Sequence, residues 1–156
     1  MKLIFKQRFF SWLDSYDIYD EKGETLFTVE GQLSLGHTLH VHNRHGEHVA
    51  TLTEELFSLL PSFHVYHQEE HVGSICKEFS FFMPSFTIDY KGWSVQGDFF
   101  ACDYQVFDEA DQQIASVFKE VFEWTDTYVI DVVHPEDALD VLMLMLAIDA
   151  EKCSRN

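Results

Sequence analysis

Apolar and polar residues alternate along most of this chain, as in Tyr16-Asp17-Ile18-Tyr19-Asp20 and Phe86-Thr87-Ile88-Asp89-Tyr90. That period places apolar side chains on one face of an extended strand and polar ones on the other. The strand-length stretches are punctuated by a recurring turn signal. Residues 18–29 (IYDEKGETLFTV), 41–52 (VHNRHGEHVATL) and 106–117 (VFDEADQQIASV) each run from a strand through Asp or Asn and two further residues to Gly or Asp, then into a second strand. Asp or Asn at the first position accepts a backbone N–H, and Gly at the fourth tolerates positive φ. The combination predicts a type I turn closed by a bulge between antiparallel strands. A shorter version lies in 65–76 and a tight turn in 87–97, around Lys91-Gly92, giving five hairpins. With an opening strand near 2–8 and a last one near 126–132, the pattern predicts twelve strands of five to nine residues.

One stretch breaks the alternation. HPEDALDVLMLMLAIDAEK has Pro135 suited to a first helical turn and Glu136 and Asp137 favourable at the positive end of the helix dipole. From Val141 to Ile148 it is apolar on every face. A helix lying on a sheet shows one apolar stripe, whereas one apolar all round is enclosed. A sandwich core is only ~10 Å thick and already filled by side chains, while a helix needs ~10–12 Å. Twelve strands closed into a barrel leave that room. The expected fold is therefore mainly β, one domain over 1–156: a closed twelve-stranded antiparallel barrel (strands about 2–133) enclosing a C-terminal hydrophobic helix (about 135–151).

An aromatic segment repeats between hairpins. FFSWLDSYDIYD (9–20) aligns without gaps on LFSLLPSFHVYH (56–67), with fainter echoes in FSFFMPSFTIDY (79–90) and VFEWTDTYVID (121–131). These corners are expected to act as apolar plugs where the barrel ends, followed by a polar residue or Pro that redirects the chain. Phe81, Phe82 and Met83 carry a second expectation, an exposed docking surface for a protein or lipid.

Charge narrows the partners. A formal net charge of −17 with only ten scattered Lys and Arg argues against nucleic acid and against stable association with anionic membranes. No stretch reaches the ~18–20 apolar residues of a membrane span. Lys6, Gln7 and Arg8 interrupt the opening apolar run, unlike a signal peptide. Three cysteines (Cys76, Cys102, Cys153) without CxxC spacing fit reduced thiols, so a cytoplasmic location is expected.

Taken in order, LFSLLPSFHVY, KEFSFFMPSFTID (77–89), the W-x-V-x-GDFFACDY stretch (93–104), FEWTDTYVID (122–131) and the closing helix resemble the LURP-one-related family, of the superfamily with the tubby C-terminal domain. The resemblance spans nearly the whole chain and implies the same twelve-stranded barrel around a buried helix. Tubby domains bind phosphoinositides through clustered basic residues. This chain has no comparable Lys/Arg cluster.

The chemistry-bearing feature is GHTLHVHNRHGEH, with five His between His37 and His48. His40 and His42 share a strand face. If Asn43 to Gly46 forms the bulged turn, His42 lies opposite His48 and three imidazoles meet on one side, a set suited to Zn²⁺, Ni²⁺ or Cu²⁺. A two-residue turn would send His48 to the other face, and a solvated polar strand face is the plain alternative. The carboxylates sit mostly at turn positions, and no P-loop, GxGxxG, G-x-S-x-G or H-E-x-x-H occurs. Cys102 has no basic neighbour to activate it. The expectation is a non-enzymatic binding or scaffold module for a protein or small-molecule partner, with no cofactor. The alternatives are a metal-binding protein using the hairpin 37–48 through His40, His42 and His48, and a peripheral phospholipid-binding protein.

Overall fold

Three hairpin turns close by the same side-chain chemistry. In the computed structural model, which describes residues 1–6, 15–79, 85–99, 101–121 and 126–154, the Oδ1 of Asp20 accepts N–H bonds from Lys22 and Glu24 at 2.8 and 2.9 Å. Asn43 Oδ1 accepts from His45 and Glu47 at 2.9 and 3.0 Å, and Asp108 Oδ1 from Ala110 and Gln112 at 2.8 and 2.9 Å. The fourth position of each turn has positive φ: Gly23 at 81°, Gly46 at 77° and Asp111 at 58°. The register shifts by one residue just inside each turn. These are the bulged turns read from the sequence.

The strands so joined are β1 (Lys2–Phe5), β2 (Ser15–Tyr19), β3 (Thr25–Ser34), β4 (Gly36–Asn43), β5 (His48–Glu54) and β6 (Ser62–His67). They continue as β7 (Glu70–Glu78), β8 (Ser85–Ile88), β9 (Trp93–Asp98), β10 (Asp103–Phe107), β11 (Gln113–Val121) and β12 (Asp126–Val132). Each pairs antiparallel with its sequence neighbours, and β1 pairs β12, so twelve strands close into a barrel. Strand lengths run from four to ten residues, slightly wider than the alternation implied. A 3₁₀ turn, Pro135–Asp137, leads into α1 (Ala138–Ser154). No described helix is long and apolar enough to cross a membrane.

Helix α1 occupies the lumen. Every residue from Val141 to Ile148 is at most 3% exposed. Inward strand residues such as Leu39, Val41, Leu52, Val65, Ile75 and Ile130 pack in the same core. Two polar anchors fix the helix along the barrel axis. Near its start, buried Asp140 accepts hydrogen bonds at Oδ1 from the Tyr90 hydroxyl (2.6 Å) and His67 Nε2 (2.8 Å), with Lys91 Nζ 3.4 Å from Oδ2. Near its end, buried Glu151 pairs with Lys77 Nζ at 2.7 Å. A buried carboxylate is tolerated only with such partners, so the two pairs set how far the helix slides into the ring.

Antiparallel closure gives the barrel two chemically different ends. The capped turns at 20–24, 43–47 and 108–112 lie with the helix N-terminus. The β3–β4, β5–β6 and β7–β8 connections lie at the other end.

Candidate functional site

Outward-facing residues of β4 to β7 carry most of the histidines. The bulge beside the Asn43 turn pairs His42 with His48 across the hairpin, and His40 with Thr51. His40, His42 and His48 therefore share the outer wall. The ring centroids of His40 and His42 lie 5.3 and 5.6 Å from that of His48. The nitrogens that converge belong to two of the three: His40 Nδ1 is 3.4 Å from His48 Nε2. Thr51 Oγ1 sits between them, 3.2 Å from His40 Nδ1 and 2.7 Å from His48 Nε2. His40 Nε2 meets Gln32 Oε1 at 2.9 Å. His42 lies behind with its ring tilted at 58° to that of His48, and its Nδ1 is buried without a hydrogen-bond partner. Among the described residues no group of three His, Cys, Asp or Glu side chains converges as a metal site. The three-imidazole set is thus a two-imidazole approach with a third ring behind it. Burial, then the neighbouring His48 and His42, hold the His40 imidazole below its ordinary pKa, against the pull of Glu30.

Sequence reasoning did not single out a second pair on the next hairpin. His64 Nδ1 lies 3.3 Å from His71 Nε2, with Ser74 Oγ 3.4 Å from the same His64 nitrogen. His64 Nε2 meets Glu55 Oε2 at 3.0 Å. The register shift between Val65 and Tyr66 in β6–β7 is the counterpart of the shift in β4–β5. In both hairpins it brings a His and a hydroxyl three residues later onto one face, which plain alternation would separate. The signal was present as His48-Val49-Ala50-Thr51 and His71-Val72-Gly73-Ser74. Tyr66 stands between the pairs, opposite Thr51 and 5.1 Å ring to ring from His71. A surface depression of about 300 Å³ opens here, lined in part by His40, His48, Thr51, Tyr66 and Glu69.

The second candidate surface is the end of the barrel that carries the described aromatic corner, 56–62. The corner 56–62 does not plug the barrel as expected: Phe57 and Leu59 are 96% and 103% exposed. The physical reason is that α1 and the inward strand residues already fill the lumen, leaving no space for a plug. Leu35, at the β3–β4 turn, is 94% exposed. It adjoins this corner, since a Cβ on Gly36 would lie 3.3 Å from Leu56 Cδ2. Phe79, where the chain leaves β7, is 73% exposed. The expected docking residues Phe81, Phe82 and Met83 lie outside the described residues, as do most of the corners at 9–15 and 122–125.

Known proteins resemble this chain in sequence or in fold. The profile of the family described as LURP-one-related matches residues 1–149. A Bacillus subtilis (strain 168) relative named "Uncharacterized protein YxjI" is 29% identical over 150 residues, covering 96% of this chain and 92% of its own. The X-ray structure of the Arabidopsis thaliana protein AT5G01750 superposes with a TM-score of 0.59 at 14% identity, over 92% of this chain and 89% of that one. That last likeness is one of fold.

Proposed function

The chain belongs to the LURP-one-related family, and from that premise we propose that it is a non-enzymatic binding or scaffold module that docks a protein partner on the apolar end of its barrel. The observation that carries this reading is the full exposure of Phe57 and Leu59 beside Leu35 and Leu56. Burying a side chain of this kind is worth ~1.5–3 kcal/mol, so a contiguous group supplies the apolar core of an interface even after association costs. Charge selects the class of partner. Glu54, Glu55 and Glu78 flank these loops on a chain of net charge −17, which favours a protein groove rimmed by Lys or Arg and opposes anionic lipid.

The test is capture of partners from the native cell by wild type and by Phe57→Ser/Leu59→Ser. A saturable partner bound by wild type and lost in the variant, at unchanged unfolding midpoint, supports the reading; capture unaffected by the variant refutes it. No flotation with phosphoinositide vesicles at physiological salt is expected. Flotation that requires Phe57 and Leu59 would move this surface to the phospholipid-binding reading.

A second reading, a metal-binding protein using the His-rich hairpin 37–48, is favoured by one observation, the 3.4 Å approach of His40 Nδ1 to His48 Nε2.

A further inference from the structure

We propose that the outer wall of the barrel holds two matched divalent-metal chelates, one on each of the consecutive hairpins β4–β5 and β6–β7: His40 Nδ1 with His48 Nε2, and His64 Nδ1 with His71 Nε2. The inference deepens the metal-binding reading, replacing its three-imidazole site with a pair of two-imidazole sites.

Distance is the first argument. The two nitrogen separations are 3.4 and 3.3 Å. N–H···O bonds cluster at ~2.7–3.2 Å, and both nitrogen–nitrogen contacts lie beyond that range. Two imidazole nitrogens each ~2.0–2.1 Å from a tetrahedral Zn²⁺ are about 3.3–3.4 Å apart. A square or octahedral cis pair at the same bond length would be about 2.9 Å apart, so the spacing favours a tetrahedral ion.

Orientation is the second. In each pair the far nitrogen of the first His faces an oxygen acceptor: Gln32 Oε1 at 2.9 Å from His40 Nε2, and Glu55 Oε2 at 3.0 Å from His64 Nε2. The acceptor holds the proton on Nε2 and leaves the Nδ1 lone pair directed at the partner ring. This is how ligating histidines are oriented from behind, and the carboxylate version also raises ligand basicity. Two pairs with the same nitrogens, the same hairpin bulge and an oxygen acceptor on the outer nitrogen are one arrangement built twice.

A hydroxyl accompanies each pair, Thr51 at 2.7 Å from His48 Nε2 and Ser74 at 3.4 Å from His64 Nδ1. Without metal, Thr51 relays a hydrogen bond between the His40 and His48 rings. With metal, both lone pairs turn to the ion, and water or an outside ligand fills its remaining positions. Each ion therefore stays open to exchange, on a wall that is half exposed.

Titration calorimetry of Zn²⁺ into tag-free full-length protein, with the visible spectrum of the Co²⁺ form, tests this. The expected stoichiometry is two ions per chain with the intense bands of tetrahedral Co²⁺. His48→Ala and His71→Ala each leave one ion, the double variant leaves none, and His42→Ala keeps both. Gln32→Ala and Glu55→Ala should weaken their own sites by ~10–100-fold, an effect that mere loss of surface imidazole would not produce. No binding by wild type, or binding unchanged in the double variant, overturns the proposal. One ion lost in His48→Ala and kept in His71→Ala preserves the single-hairpin reading and sinks the paired one; one ion lost in either variant shows a shared site and likewise sinks it.

Discussion

Replacing Leu142 by alanine tests the enclosed helix through a contrast between two leucines. Leu142 is completely buried in the lumen, whereas Leu59 is fully exposed at the barrel end. Removing the Leu142 side chain beyond Cβ forfeits ~2–3 kcal/mol of transfer free energy. The hole it leaves adds more, because the surroundings cannot follow it inward. Twelve strands hydrogen-bonded in a closed ring have a fixed circumference, and shrinking it would break ladder bonds. The cost should therefore sit near the top of the ~2–5 kcal/mol range of buried Leu→Ala changes. With a urea m-value of ~2 kcal/mol/M, the unfolding midpoint drops by about 2 M at unchanged m. Leu59→Ala should stay within ~0.5 kcal/mol of wild type. Far-UV circular dichroism in urea measures both. Equal midpoints for the two variants would refute the enclosed helix, as would a folded monomer truncated after Pro135.

Further expectations concern the anchors, the ladder and the buried phenols. Lys77→Met deprives buried Glu151 of its 2.7 Å cation and should cost ~3–5 kcal/mol, while Lys77→Met/Glu151→Met recovers most of that loss; urea midpoints of the cycle check it, and a harmless single variant would refute it. Gly97→Ala places a Cβ 2.5 Å from the Asp103 carbonyl and the Tyr104 Cα at φ +137°, so a loss of at least ~2 kcal/mol is expected, seen as a fall in Tm of about 4–8 °C. Burial, then the Asp140 carboxylate and its hydrogen bond, push the Tyr90 phenol far up, and burial followed by the Asp149 charge does the same to Tyr104. Folded pKa values above the unfolded ~10 mean that this stability is complete below pH ~10 and is lost as pH rises beyond it. Absorbance at 295 nm should therefore show Tyr90 and Tyr104 ionising only as the barrel unfolds, and ionisation of either near pH 10 in the folded protein would refute the burial argument.

The sequence pattern revealed the architecture wherever one local rule had one physical outcome. Asp20, Asn43 and Asp108 sit at turn positions where their carbonyl or carboxylate oxygens have few alternatives to capping the next N–H groups. Val141 to Ile148 has no polar face, and only an enclosing ring satisfies that. The corner 56–62 departs from its expected place because apolar composition reports a need for cover without saying which cover, and α1 already fills the lumen. His64 and His71 escaped notice because strict alternation puts His71 and Ser74 on opposite faces. The bulge that reunites them comes from pairing with β6, which no stretch of β7 encodes alone. Asp140 stands just before the apolar run that begins at Val141, and nothing nearby in sequence marks its role, because its hydrogen bonds to His67 and Tyr90 span 73 and 50 residues of chain.

The repetition of the aromatic corner acquires a reason once the ring is closed. In an antiparallel ring of twelve strands, every second connection emerges at the same end. The described corner 56–62 therefore shares its end of the barrel with the exposed Leu35 turn and with Phe79. The intervening turns carry the opposite chemistry: Asp20, Glu21, Glu24, Glu47, Asp108 and Glu109 gather at the far end. A filled lumen closes the interior to ligands, since α1 already occupies it. On the proposed reading, recognition falls to the apolar end and to the histidine wall between the two ends. These surfaces are separable by substitution, because Phe57 and Leu59 belong to a connection and His48 and His71 to outward strand positions. Loss of partner capture with intact Zn²⁺ stoichiometry, and the converse in the histidine variants, would establish that the barrel carries two independent sites.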